Sequence, residues 1–530
     1  MLKRHVLFLL LLISGFCAFA QNSSVITGRL VDEQSGEPVP FATVKLQNLL
    51  MGVVSNANGD FQIPSKYRDL DEFLVISCIG YVTRTIPLKE LNTESLNVIR
   101  VKQSVTVLES VTVRSRKRRG DQDRDGYQAP KSYSAERIVA LAIKAIKVNY
   151  PQDPYSYIGY YRDYQLKDTS YINLNEAIVE IFDRGFSTND QTDTQLSLFE
   201  YRKNNDFPRD SAASVPYDNK PSYVSHSKNK YIPNAKLSSW GGNELSILRL
   251  HDAIRNNEIF SYSFVNVFNK EFVQNHYLKL EGETMLDTIR LYTISFESRY
   301  AASGPRNFAK GKLYIEKNNF AIHKIEYAAF NKTMRETQLM YDIKVEYVRN
   351  NGKMCLNYIS FNNGFRLADN AMFKVIDIVY DKAAHAFILD FNTEPEEHSV
   401  QNKENYKFSL RGRPINMRMA VKTGARKVFL YPDDASAGVL EANANSLSSA
   451  LKYEVANVRD VNNRQLDVSD NNTIFQFREL FVQRCALHDP VPTRYSLMKK
   501  DVPLEANQAT APGENVDFWM NSPLKTKGGN

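Results

Sequence analysis

Apolar and polar side chains alternate along most of this 530-residue chain, with a period of two far more often than a period near 3.6. From Val25 to Val113 the apolar runs are short and set between turn residues. Ile26-Thr27-Gly28-Arg29-Leu30-Val31 comes first, and a polar turn spans Asp32 to Pro38. Phe41-Ala42-Thr43-Val44-Lys45-Leu46 follows, with Ala42, Val44 and Leu46 on one face, and later Phe61-Gln62-Ile63. Asn58-Gly59 predicts a tight turn, because both residues accept positive φ cheaply, and the whole region reads as a small all-β domain.

A helical period appears at 134–148, where Ser134 stands at the N-cap and Ile138, Leu141, Ala142, Ala145 and Ile146 form one stripe. Asn149-Tyr150-Pro151 ends it. Long alternating runs then follow: Tyr155–Leu166, Tyr171–Phe182, Tyr277–Phe296, Gly311–Ile315, Phe320–Tyr327, Gln338–Val348, Met354–Phe361 and Phe373–Tyr380. Hairpin signals such as Asn318-Asn319 and Asn350-Asn351-Gly352 join several of them and imply an antiparallel meander. A second helix is expected near 243–255. Beyond about residue 400 no repeated alternation is seen, so the C-terminal part is expected to be irregular. The fold class is therefore mainly β with some α. A seven-stranded sandwich at 23–113 precedes a larger curved antiparallel sheet domain at 131–530. Long twisted strands curl, so the inner face of that sheet is expected either to hold an apolar ligand or to be filled by a helix.

Residues 1–20 have the parts of a secretion leader: Lys3 and Arg4, an apolar run from Val6 to Phe16, and small Ala18 and Ala20. Cleavage after Ala20 would leave Gln21 first. The run is shorter than the about 20 residues a membrane span needs. Acylation of Cys17 is the alternative, opposed by bulky Phe16 before it. The formal net charge of +7 becomes +5 when Lys3 and Arg4 leave with the leader. That balance and the export signal argue against nucleic acid as a partner, and no later stretch reads as a transmembrane helix. The chain is expected in the periplasm or associated with the outer membrane. Without Cys17, the cysteines are Cys78, Cys355 and Cys485, and no spacing selects a disulfide among them.

Residues 114–130 carry Arg114-Ser115-Arg116-Lys117-Arg118-Arg119 and then Asp121-Gln122-Asp123-Arg124-Asp125-Gly126. Such charge density marks a linker, where trypsin is expected to cut first. Asp121, Asp123, Asp125 and Gly126 match the opening of a calcium loop, although its twelfth position is Ser132 where a bidentate Glu belongs.

Residues 23–115 resemble a known family, the carboxypeptidase-type regulatory domain, a transthyretin-like sandwich. The likeness rests on Gly28 with Val31-Asp32, on Gly36-Glu37-Pro38-Val39-Pro40-Phe41-Ala42-Thr43-Val44, and on Gly52. It continues through Asn58-Gly59-Asp60-Phe61, Leu74-Val75-Ile76-Ser77 and Ile79-Gly80-Tyr81. Ser55-Asn56 departs from the family's usual Thr-Asp. The resemblance implies a non-catalytic interaction module, since such sandwiches also precede bacterial outer-membrane receptors. Leu108 to Val113 looks like the strand that ends the module in TonB-dependent receptors. A receptor would continue into a plug and barrel, whereas here a charged linker and a helix follow. The region from Ser132, with Tyr160-Tyr161-Arg162 and Asn175-Glu176-Ala177, resembles exported Gram-negative envelope proteins built on the same sandwich. Gly311 to Glu326 looks like hairpins of the lipoprotein-carrier fold.

The sharpest catalytic candidate is His323-x-x-Glu326, a spacing that metallocarboxypeptidases use for zinc. On a strand, residues three apart face opposite ways, so one ion is not expected to take both. Ser-x-x-Lys recurs at Ser227, Ser496 and Ser522 without a second motif. His226, His251, His276, His385, His398 and His488 lack ligand spacing. No catalytic, cofactor-binding or metal-binding residue is assigned. The expected function is non-catalytic binding or assembly in the cell envelope, with envelope proteins or an apolar ligand as partners. The alternative is an envelope hydrolase such as a peptidase.

Overall fold

The computed structural model describes residues 25–49, 51–104, 133–167, 170–211, 213–214, 230–231, 244–258, 267–304, 307–332, 337–367, 372–442, 450–468, 474–487, 496–511 and 517–524. Residues 1–20, read as a leader with Cys17, residues 114–130, read as a linker with Asp121, Asp123 and Asp125, and Ser227 lie outside these residues.

Seven strands form the N-terminal sandwich: β1 (Val25–Asp32), β2 (Thr43–Leu46), β3 (Met51–Val54), β4 (Asp60–Pro64), β5 (Phe73–Ser77), β6 (Arg84–Pro87) and β7 (Asn97–Val101). One sheet has the order β4-β1-β7, with β1 and β7 parallel, and the other β3-β2-β5-β6. Period-two alternation turns Ile26, Leu30, Val44, Leu46, Phe61, Ile63, Leu74 and Ile76 inward, each at most 1% exposed. The Asn58-Gly59 turn is present. Gly59 has φ +75°, and a Cβ there would strike the Leu30 carbonyl, so only glycine fits. Asn56 Oδ1 accepts from the backbone N–H groups of Asn58 and Asp60, both at 2.9 Å. Ser55 Oγ accepts from Ala42 N at 2.9 Å and donates to Val39 O at 3.1 Å. The Ser55-Asn56 departure therefore keeps an oxygen acceptor at each position.

The next strands are β8 (Tyr155–Lys167), β9 (Ser170–Asp183), β10 (Gln195–Lys203), β11 (Lys230–Tyr231), β12 (His276–Leu286), β13 (Ile289–Ser298), β14 (Asn307–Glu316), β15 (Ile322–Lys332), β16 (Thr337–Asn350) and β17 (Lys353–Leu367). Residues 372–468 then form a separate unit from β18 (Val375–Asp381), β19 (Ala386–Phe391), β20 (Tyr406–Leu410), β21 (Arg413–Ile415), β22 (Met417–Thr423), β23 (Lys427–Pro432) and β24 (Leu451–Val455). They make two small sheets around a core of their own, with Phe387, Leu389, Phe408, Val428 and Leu430 at its centre. The run Phe373–Tyr380 thus belongs to this insertion and not to the large sheet. The last strand, β25 (Ile474–Leu487), returns to the large sheet, whose order is β10-β9-β8-β25-β17-β16-β15-β14-β13-β12.

Two antiparallel meanders, β8–β10 and β12–β17, are joined by β25 at the middle. This corrects the expectation of an irregular C-terminal part. The reason is that β25 is covered on both faces, so Arg478 and Glu479 are buried beside Leu480 and Phe481 and the apolar–polar alternation disappears. The hairpin read at Gly311–Glu326 is present as β14–β15.

One face of the sheet is filled by helices. Helix α1 (Ala135–Asn149) starts where Ser134 Oγ accepts from Arg137 N at 3.3 Å and buries Ile138, Val139, Ala142 and Ile146, while Leu141 and Ala145 stay partly exposed. Its end is tied to the β14–β15 hairpin by Asn149 Nδ2 to Asn319 O at 3.0 Å and Tyr150 OH to Ile322 O at 2.7 Å. The helix expected at 243–255 is shorter, α2 (Glu244–Leu250), and turns follow it. With α3 (Lys270–Asn275), these elements pack Leu245, Leu248, Ile254 and Phe272 onto Tyr161, Ile294, Ile325, Val345 and Leu480.

On the opposite face the sandwich packs over β8, β9, β25 and β17 and reaches β12 at Gly80. Val54 and Phe41 meet Ile158, Tyr160, Ile178, Tyr358 and Phe481, with Phe41 stacked on Tyr358 at 5.0 Å. Asn357 Nδ2 donates to Thr43 Oγ1 at 2.9 Å, and Gly80 N to Met285 O at 2.9 Å. A C-terminal strap, residues 517–524, closes the joint. Trp519 enters the sandwich core and donates from Nε1 to Gln62 O at 2.8 Å, while its backbone pairs with the Gln483 side chain on β25. Asn521 bridges Gln62 N and Val54 O.

Candidate functional site

Register aligns one residue from each strand into rows that cross the sheet, and on the sandwich-side face one row is charged almost throughout. From β10 to β12 it runs Arg202, Glu176, Arg162, Glu479, Ser360, Lys344, Glu326, Lys312, Ser295 and Lys279, each directly opposite the next. Opposite charges face each other at five of these steps, the favourable cross-strand arrangement.

From Glu176 to Ser360 the row is shut beneath the sandwich and strap, while Arg202 at its edge is exposed. Arg162 is wholly buried, donates from Nε to Glu479 Oε2 at 2.6 Å, and has Phe481 and Tyr164 rings 4.9 and 5.3 Å from its guanidinium. Tyr358 OH donates to the other Glu479 oxygen at 2.8 Å. Glu176 accepts from Arg202 Nε at 2.9 Å, Asn204 Nδ2 at 2.7 Å, Tyr160 OH at 2.6 Å and Ser522 Oγ at 2.7 Å. Paired charges under a docked domain add little net stability, but removing one partner leaves the other as an uncompensated buried charge.

The second half is open and lines a cavity of about 820 Å³ with Lys279, Lys310, Lys312, Lys344, Glu326 and Asp342 among its walls. Lys324 holds Glu326 and Glu346 at 2.8 and 2.9 Å. Burial alone would raise the Glu326 carboxyl, but the Lys324 ammonium brings it below the usual range. Burial raises Asp342, which accepts from Asn362 Nδ2 at 2.9 Å. Among the described residues Lys310, Lys312 and Lys344 form no ion pair. Lys344 Nζ lies 4.3 Å from the Phe41 ring centre, and Lys310 Nζ lies 5.1 Å from that of Phe330. Gly311 between two of the lysines is required by packing, since a Cβ there would strike the Glu326 carbonyl and the Phe296 ring. Phe41 is thus where the sandwich borders the groove.

A smaller cavity of about 430 Å³ includes Asp163, Asn175, Tyr201, Glu244 and Gln476. Asp163 Oδ1 accepts from Asn175 Nδ2 at 2.8 Å and Oδ2 from Tyr161 OH at 3.2 Å. Burial, and then the nearby Glu244 charge, push the Asp163 carboxyl up to about 7. Glu244 is itself paired with Arg478.

The sequence candidates do not converge. His323 is buried, with Nε2 3.2 Å from Glu316 Oε2, and its hydrogen bond is the main reason that Glu316 falls to about 2. Glu326 lines the groove on the opposite face. Ser522 is a strap residue bonded to Glu176, and the carbonyl of Ser496 accepts from Ser197. Sequence reading missed the charged row, whose signal was Lys310-x-Lys312, Lys324-x-Glu326 and Asp342-x-Lys344-x-Glu346. Each is a same-face charge repeat at period two.

Residues 26–113 match the family model described as CarboxypepD_reg-like domain. A stretch of 109 residues is 33% identical to the TonB-dependent receptor SusC of Bacteroides thetaiotaomicron, covering 20% of this chain and only 10% of the receptor. Among solved structures, a DUF1329 family protein from Desulfovibrio piger is similar at TM-score 0.21 and 11% identity, over 44% of this chain and 87% of that one.

Proposed function

We propose that this chain is a non-catalytic binding protein of the cell envelope. Its ligand is an extended polyanion laid across the open half of the charged row, and the N-terminal sandwich walls one end of the groove. The observation that carries this reading is the spacing of the lysines. Lys279, Lys312 and Lys344 stand on alternate strands, so their Cα atoms are roughly 10 Å apart along a line perpendicular to the strands. An extended chain with regularly placed negative charges matches that line. An apolar ligand fits less well, because helices and aromatic side chains occupy the sheet face where it was expected. The match of residues 26–113 to a module common in envelope proteins supports the location.

Calorimetry with a heparin oligosaccharide tests the reading. The native chain should bind saturably, and Lys312→Glu with Lys344→Glu should weaken binding at least about tenfold, with loss at high salt as screening shortens. Lys407→Glu with Lys452→Glu, in the insertion, should change nothing. Absence of binding, or equal loss in both pairs, refutes the groove as the site.

One observation favours a second reading, an envelope hydrolase. Asp163 near 7 beside Glu244 is the arrangement of a general acid next to a carboxylate. Hydrolysis of a glycoside or peptide library that Asp163→Asn abolishes would establish it over the first.

A further inference from the structure

Three cysteines follow residues 1–20, and two of them, Cys355 and Cys485, stand on the neighbouring strands β17 and β25. β17 and β25 pair directly as far as Tyr358 and Phe481. Beyond that pair each strand carries a bulge, β17 between Leu356 and Tyr358 where it pairs with β16 and β25 between Val482 and Arg484 where it pairs with β8, and Cys355 and Cys485 follow these bulges on the two neighbouring strands. Asn350 Nδ2 donates to the Cys485 carbonyl at 3.1 Å and holds the backbone there. The two side chains are near enough for a sulfur–sulfur hydrogen bond, and Lys45 on β2 places its ammonium within Coulombic reach of both sulfurs. Cys78 lies elsewhere, against Lys324, Glu326 and Glu346.

We infer that Cys355 and Cys485 are the disulfide of the exported protein, and that Cys78 remains a thiol. Export by the leader read in residues 1–20 would bring the chain to an oxidising compartment, where such a bond persists. The chemistry is exchange with a disulfide donor, of which oxidised glutathione is the simplest. Cys485, the more accessible of the two, attacks the donor as thiolate, forming a mixed disulfide and releasing one donor thiol. Cys355 then displaces the second donor sulfur. Two electrons and two protons leave the protein as two donor thiols. The hydrogen bond from Cys355, and then burial, raise the Cys485 thiol, so the folded reduced protein reacts slowly and the bond forms as the sheet assembles. Once closed, it joins the two strands that flank the whole insertion 372–468 and pins β25 at the docking site of the sandwich.

The test is to refold the mature chain in a glutathione redox buffer, count its free thiols, and map its peptides without reduction. The expected product has one free thiol at Cys78 and a single cross-linked peptide containing Cys355 and Cys485. Its mass is lower by two hydrogens, and it melts at a higher temperature than the reduced form. Cys78→Ser should leave the cross-link unchanged, so the result does not depend on whether Cys355→Ser or Cys485→Ser folds. Three free thiols, or a bridge that includes Cys78, overturns the assignment.

Discussion

Replacing Trp519 by Ala should undock the N-terminal sandwich. The indole is only 8% exposed, lies 5.7 Å from the Tyr67 ring, and is the strap's contribution to the sandwich core. Truncating a buried Trp to Ala costs about 3–5 kcal/mol. Loss of the Nε1 donor leaves the Gln62 carbonyl without its partner, worth about 1 kcal/mol more. Partial closure of the gap, and the remaining anchors at Asn521 and Ser522, work against the full sum, so a net loss of about 3–5 kcal/mol is expected. Urea unfolding followed by circular dichroism measures it, with protease protection of the module as the local readout. Trp519→Phe, which keeps most of the apolar area, should lose only about 1–2 kcal/mol. The reasoning fails if Trp519→Ala costs less than about 1 kcal/mol, or if it destabilises the chain while the module stays protected.

Gly59→Ala should cost about 1–3 kcal/mol in thermal unfolding, because the residue is held at positive φ against Leu30; a neutral result would mean the turn can rearrange. Arg162→Met should cost about 3–5 kcal/mol by leaving Glu479 buried without its cation, and adding Glu479→Leu should restore much of the loss; a cycle without coupling would contradict the buried pair. Asp163 titrates near 7 in the folded chain, above its unfolded value, so the native state holds an extra proton between about pH 4 and pH 7. That contribution is fully present below the unfolded value and is lost as pH rises through about 7, by roughly 4 kcal/mol at most. Asp163→Asn should therefore flatten the fall in stability over this window, and an unchanged pH profile would remove Asp163 as its source.

What could be read from sequence follows burial on one face against burial on two. The sandwich was legible because Ile26, Leu30, Val44 and Leu46 alternate with solvated neighbours, and Asn58-Gly59 has a single structural solution. Helix α1 was legible from its cap and stripe, although Val139 takes the place of Leu141 in the buried face. β25 was not, because its faces meet helices and sandwich and its charges are buried as pairs with Arg162 and Glu244. The site was illegible for a related reason. A row across strands joins residues from Arg162 to Glu479, so no local window contains it; only register assembles it. The same holds for Cys355 and Cys485, which lie far apart in sequence on the paired strands β17 and β25.

The most direct measurement is lysine footprinting with and without a heparin oligosaccharide, read residue by residue by mass spectrometry. If the open half of the row is the binding surface, acetylation of Lys279, Lys312 and Lys344 should fall when ligand is present. Lys407 and Lys452, which line a separate cavity of about 730 Å³ in the insertion, should react as before. Protection confined to the insertion, or spread evenly over all exposed lysines, would contradict the account.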